Sequence, residues 1–177
     1  MAGGEAGRGV TAVDAGPAEA VGRLLRECCA SPAWVAAVLA GRPYGDRAVL
    51  AAASDAAVEA LPWPEVERAL AAHPRIGERP DGDGRDAGWS RAEQSGVGSG
   101  SAASAVRAAL AAGNAAYEAR FGHVYLVRAA GRSAPELLAL LESRLGNDVA
   151  TERAVVRREL AEIARLRLDR LVAGGEP

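Results

Sequence analysis

The 177-residue chain is about one domain in length; it is 49% hydrophobic but only 4% aromatic, and alanine dominates the apolar set. With 21 basic against 23 acidic residues and a net charge of −2, it carries no basic footprint for nucleic acid. Its two cysteines, Cys28 and Cys29, are adjacent and its two histidines lie far apart, which argues against a disulfide framework and leaves no metal-ligand cluster.

Residues 1–16 are rich in glycine and weak in periodicity, and read as a disordered tail. A helix is expected from Pro17, with Val21, Leu24, Leu25 and Cys28 at helical spacing. Ser31-Pro32 gives a cap followed by proline at the first helical position, and Gly41 closes that helix. Arg42-Pro43-Tyr44-Gly45 is a turn, and Asp46 to Leu61 reads as a third, alanine-rich helix. Pro62-Trp63-Pro64 breaks the chain, and the next helix starts at Pro64. Val66, Ala69, Leu70 and His73 fall at i, i+3, i+4 and i+7, so His73 extends a buried stripe. The proline after it ends the helix there. Burial favours the neutral imidazole and a helix C-terminus the charged one, so sequence leaves its protonation open.

Residues 77–88 read as a polar, glycine-rich loop whose Asp81-Gly-Asp83 hints at calcium but lacks the spacing and closing glutamate of an EF-hand. Ser90-Arg-Ala-Glu93 has the form of a capping box, in which Ser90 opens a helix and Glu93 reaches back to it. The competing reading turns Glu93 into a pocket, where a histidine at one helix end and a carboxylate at the next helix start form an acid/base pair. Beyond a break at 95–101, Val106, Leu110, Asn114, Tyr117 and Phe121 share a helical face; Asn114 there is either a buried polar tie or a site residue. His123 to Ala129 is short, apolar and β-branched, and periodicity leaves strand and buried helix equally open. Ser133-Ala-Pro-Glu136 is a second capping box. The helix after it puts Arg144 on one stripe with Leu137 and Leu141. That arginine either snorkels to water or clamps a carboxylate or carbonyl. Gly146 ends the helix, Asn147 can cap the next, and Val149, Val156, Leu160, Ile163 and Leu171 mark a long closing helix before a frayed 173–177.

Two motifs in order, His73-Pro-Arg-Ile-Gly77 and Trp89-Ser-Arg-Ala-Glu-Gln94, resemble the OHCU decarboxylases, which act on 2-oxo-4-hydroxy-4-carboxy-5-ureidoimidazoline in urate breakdown. The likeness continues through Asn114-Ala-Ala-Tyr117-Glu-Ala-Arg-Phe121, Gly131-Arg-Ser-Ala-Pro-Glu136 and Arg144-Leu-Gly-Asn147, over roughly 17–172. The resemblance implies a cofactor-independent carboxy-lyase that yields (S)-allantoin, with His73 and Glu93 catalytic. It implies a substrate site of Pro74, Ser90, Arg91, Ala92, Glu93, Gln94, the backbone of Tyr125, Leu126, Val127, Arg128 and Ala129, and Arg144, with no metal. Arg128 stands where many relatives carry cysteine, and Ile76 where leucine is common. The expected fold is all-α, a compact single-domain bundle of roughly seven or eight helices over 17–172. A homodimer is implied as well. No apolar run reaches membrane-spanning length and no secretory signal is evident, so a cytoplasmic location is expected. Two alternatives stay open on sequence: another ureide-processing enzyme on the same scaffold, or a non-catalytic helical interaction module.

Overall fold

The computed structural model describes residues 6–78, 85–95 and 101–174, and among these every regular element is a helix. In chain order these are α1 (Ala6–Ala15), α2 (Ala18–Cys28), α3 (Pro32–Ala40), α4 (Arg47–Glu59), α5 (Trp63–Leu70), α6 (Arg85–Glu93), α7 (Ser101–Phe121), α8 (Ala134–Arg144) and α9 (Val149–Val172). The all-α expectation holds, with nine helices among the described residues in place of seven or eight. The chain groups into two units, one of Met1–Ala69 with Leu160–Pro177 and the other of Leu70–Glu159.

In the first unit, local cap chemistry sets the helix starts. The Ser31 hydroxyl accepts from the Trp34 amide and donates to Glu65 at 2.7 Å. That hydrogen bond, with one from the Ala33 amide, holds the Glu65 carboxyl below its ordinary value. A cap of this kind stabilises a helix by about 1 kcal/mol. Asp46 caps α4 by accepting from Ala48 and Val49. The indole of Trp34, fully buried, donates to the Ser54 carbonyl at 3.2 Å. Cys28 and Cys29 are buried and not joined in a disulfide, and burial pushes the Cys29 thiol up to about 11.

Over residues 6–15 the expected tail is a helix, α1; residues 1–5 of it lie outside the described residues. Val10 and Val13 are buried, and the Asp14 carboxylate accepts from the amides of Tyr44 and Gly45, each at 2.8 Å. Arg42 closes the same helix end, donating to the carbonyls of Val13 at 3.1 Å and Gly16 at 2.9 Å. Gly9 permits a close approach: a Cβ there would lie 1.5 Å from the Val172 carbonyl oxygen. Two valines among glycines make a weak periodic signal, and this helix depends on tertiary partners that sequence pattern does not display.

In the second unit, α7 and α8 pack around a buried cluster that includes Leu110, Tyr117, Leu137 and Leu141. The start of α8 carries the carboxylate arm of its capping box: Glu136 accepts from the Ser133 amide and hydroxyl at 2.7 and 2.6 Å. The cap of α9 falls one residue later than expected. Asp148 accepts from the Thr151 amide at 2.8 Å, because the Asn147 amide is turned to Glu152 instead. Residues 124–129 are neither strand ladder nor helix; they carry no regular secondary structure. Among the described residues no helix is long and apolar enough to cross a membrane.

Candidate active site

The last turn of α5 is anchored by Val66, Ala69 and Leu70, all buried. α5 ends at Leu70, three residues short of the expected stop at His73; the proline that follows keeps His73 itself out of the helical region. His73 follows in a tight turn, its amide donating to the Leu70 carbonyl at 2.9 Å. The side chain is half-buried, with Nε2 shut away from solvent. Pro74 is half-buried beside it. Gly77, at φ 90°, reverses the chain where a side chain would be strained.

Three side chains hold this loop by its backbone or its arginine. Gln94 accepts from the Gly77 amide at 2.9 Å and its own amide donates to the Arg75 carbonyl at 3.4 Å. Asn114 donates to the Ile76 carbonyl at 2.9 Å, which makes it a buried polar tie. Arg75 grips Glu118 with two parallel bonds of 2.6 and 2.9 Å. The pair raises the Arg75 guanidinium and lowers the Glu118 carboxyl. The two sequence motifs, separated along the chain, therefore meet through Gln94.

The second motif departs from the expected helix start. Ser90 lies inside α6, its carbonyl accepting from the Gln94 amide at 3.1 Å in helical register, and Glu93 is the last helical residue. An interior serine cannot be the cap, so the capping box at 90–93 does not form. Arg85 to Gly88, read as loop, belong to the helix as well. The cause is tertiary: Trp89 is fully buried and anchors a turn that its glycine-rich approach conceals. Asp81 and Asp83 lie outside the described residues. Trp89, Ser90 (5% exposed) and Glu93 (8%) form the buried face, while Arg91 and Ala92 are exposed.

The third part is the segment from Tyr125 to Ala129. Tyr125, Leu126, Val127 and Ala129 are buried and Arg128 is half-buried. Tyr125, Val127 and Ala129 share one buried cluster with Ile76 of the histidine loop. The segment's other side is held by charges. Arg144, 6% exposed, donates through Nη1 to the Leu126 carbonyl at 2.6 Å, and the Arg128 amide donates to Glu159 at 2.7 Å. Arg144 also donates to Glu152 through Nε at 2.8 Å and through Nη2, and approaches the Tyr117 hydroxyl at 3.4 Å. The anion and the carbonyl that this arginine requires thus come from the chain itself. Tyr117 donates a short hydrogen bond to the same carboxylate, and Asn147 donates to its second oxygen at 2.7 Å.

Burial alone would push Glu152 up; Arg144, Tyr117 and Asn147 outweigh it and hold the carboxyl below its ordinary value. Burial, then the bond to Glu152, raises Tyr117, and burial pushes Tyr125 up to about 12. Sequence reasoning missed Glu152 and Glu159. A signal for Glu152 existed, since it stands four residues before Val156 on the apolar stripe of α9, a place where a charge demands a partner. Among the described residues no group of three His, Cys, Asp or Glu side chains could hold a metal ion.

Known proteins resemble this chain in sequence and in fold. A protein of Amia calva, 2-oxo-4-hydroxy-4-carboxy-5-ureidoimidazoline decarboxylase, is 30% identical over 154 residues, covering 87% of this chain and 86% of that one. A crystal structure of OHCU decarboxylase in the presence of (S)-allantoin superposes with a TM-score of 0.72 at 22% identity, covering 89% of this chain and 99% of that one. A crystal structure of (S)-allantoin synthase gives 0.67 at 20% identity, covering 92% of this chain and 53% of the other. These two structures share the fold. The family profile for OHCU decarboxylase matches residues 14–169, which takes in both motifs, the segment at 125–129 and Arg144. With that span and that relative, the chain belongs to the OHCU decarboxylase family.

Proposed function

We propose that this protein decarboxylates OHCU to (S)-allantoin in urate breakdown, with no cofactor. The observation that carries the reading is the convergence of its parts: Gln94 bridges to the histidine loop at Gly77, and Ile76 of that loop packs in one cluster with Tyr125, Val127 and Ala129. The substrate's carboxylate-bearing carbon adjoins a ring C=N bond. When the C–C bond to the carboxylate breaks, its electron pair enters that conjugated system and leaves an enol-like intermediate. The protein must then orient the carboxylate, stabilise charge and deliver one proton to one face.

His73 is the acid/base that exchanges this proton. Glu93 orients His73 and accepts from the ring hydroxyl. Gln94, its oxygen already taken by Gly77, offers an N–H to a ring or ureido carbonyl. Pro74 and Ser90 complete the lining; Arg91 and Ala92 contribute backbone only, since their side chains are exposed. The backbone between Tyr125 and Ala129 reads the amide edges of the substrate. The same reading extends to a homodimer in the cytoplasm, for which sedimentation velocity gives the assembly.

The deciding experiment is stereochemical. OHCU loses carbon dioxide unaided, and protonation in solvent has no preferred face. Freshly generated OHCU with the protein should give an excess of (S)-allantoin by circular dichroism. Racemic product, at protein levels that outrun the spontaneous reaction, refutes the assignment.

A further inference from the structure

We infer that Glu152, with Tyr117 and Arg144, is a positioning group that fixes the register of the 125–129 backbone for binding, an inference that rests on the proposed function. In an extended chain, the backbone N–H and C=O groups of alternate residues point to the same edge. The Leu126 carbonyl and the Arg128 amide accordingly share an edge, and that edge is the one held: by Arg144 at 2.6 Å and by Glu159 at 2.7 Å. Tyr125, Val127 and Ala129 enter one buried cluster with the alternation of an extended chain, and in such a chain the peptide groups of Tyr125 and Val127 face the opposite way. Holding one edge with two charge-assisted bonds presents the other as a prepared set of donors and acceptors.

The hold depends on Glu152. Arg144 reaches the Leu126 carbonyl with Nη1 because its Nε and Nη2 are fastened to one carboxylate oxygen. That oxygen is fixed in turn by the Tyr117 hydroxyl, and the other oxygen by Asn147. The guanidinium also lies over the Tyr125 ring, 4.7 Å from its centroid, so it grips the segment by side chain as well as by backbone. None of Glu152, Tyr117 or Asn147 need touch the substrate. A network this satisfied and buried is rigid.

The test uses the full chain and two variants, Tyr117→Phe and Glu152→Gln. Hydrogen–deuterium exchange of the peptides covering 124–129 reads the hold itself, independently of chemistry. Steady-state turnover of fresh OHCU, well below each melting temperature, reads its effect. Faster exchange in that segment, with KM raised about three- to tenfold and kcat within about twofold, is the expected result; the scale is that of one lost hydrogen bond. Unchanged exchange overturns the inference. Faster exchange with KM unmoved, or a loss confined to kcat, overturns it too while leaving the decarboxylase reading intact. A wild-type protein that does not act on OHCU refutes the decarboxylase reading and the inference with it. If Glu152→Gln does not fold, Tyr117→Phe, which deletes a single oxygen, carries the same outcomes.

Discussion

Replacing Arg144 with methionine keeps most of the side-chain volume and removes the charge from a buried ion pair. Arg144 is 6% exposed and Glu152 fully buried. The variant strips Glu152 of its cation and leaves the Leu126 carbonyl without its donor. Breaking a buried pair by removing one partner costs about 3–5 kcal/mol. Tyr117 and Asn147 still donate to the carboxylate, which places the loss toward the lower end of that range. For a chain of this length about 3 kcal/mol corresponds to a melting temperature lower by roughly 6–12 °C. The pH dependence carries the sharper signature. In the wild type, Glu152 is held below its ordinary 4.5, so its contribution is present above that value and is lost as pH falls. In the variant the guanidinium is gone and only Tyr117 and Asn147 oppose burial, so the folded-state carboxyl rises from its wild-type position. The gap between the two proteins should therefore be widest near neutrality and narrow as pH falls into the lowered range of the wild-type carboxyl. Urea unfolding followed by far-ultraviolet circular dichroism at several pH values measures it. A neutral-pH gap under about 1 kcal/mol, or one that is constant with pH, would refute the assignment of this pair as a coupled buried network.

Three further substitutions separate chemistry from architecture. His73→Asn cannot exchange the proton and should lose about 10²- to 10⁴-fold in kcat while remaining folded; turnover near wild type removes His73 from the mechanism. Glu93→Gln should leave the melting temperature nearly unmoved, since no capping box exists there to lose, and should abolish the enantiomeric excess of allantoin; a preserved excess returns Glu93 to a structural role. Gln94→Glu retains an acceptor for the Gly77 amide but loses the N–H donors, so KM should rise with the loop still in place; unchanged kinetics would make Gln94 a loop brace alone.

Much of this was readable from the chain because cap chemistry is local. Ser31, Asp46 and Ser133 each announce a helix start through a side chain that meets an amide within three residues or a carboxylate at the third helical position. Spacing and proline put His73 at the end of the α5 stripe, whereas the helix itself stops at Leu70 and leaves His73 in the turn beyond. The failures share one cause, long-range partners. Ser90 looks like a cap, but burial of Trp89 extends the helix back through glycine to Arg85. The N-terminal helix exists because Arg42 and the amides at 44–45 complete its end from elsewhere in the chain. Arg144 was recognisable as a cation in need of an anion. That the anion is Glu152 required knowing that the turn between α8 and α9 brings two stripes face to face. The resemblance to the family names the candidate site residues; the physics of spacing accounts for most of the scaffold around them.

The adjacent cysteines acquire a practical meaning from their burial. Both are closed to solvent in the folded chain, and the Cys29 thiol, raised to about 11, holds almost no thiolate at neutral pH. Alkylating reagents attack the thiolate, so the native protein should be silent to them while the unfolded chain, with ordinary thiols, reacts at two neighbouring positions. Labelling rate thereby becomes a clock for opening of the α2–α3 region, readable by mass in a crude mixture, without a chromophore and without the unstable substrate.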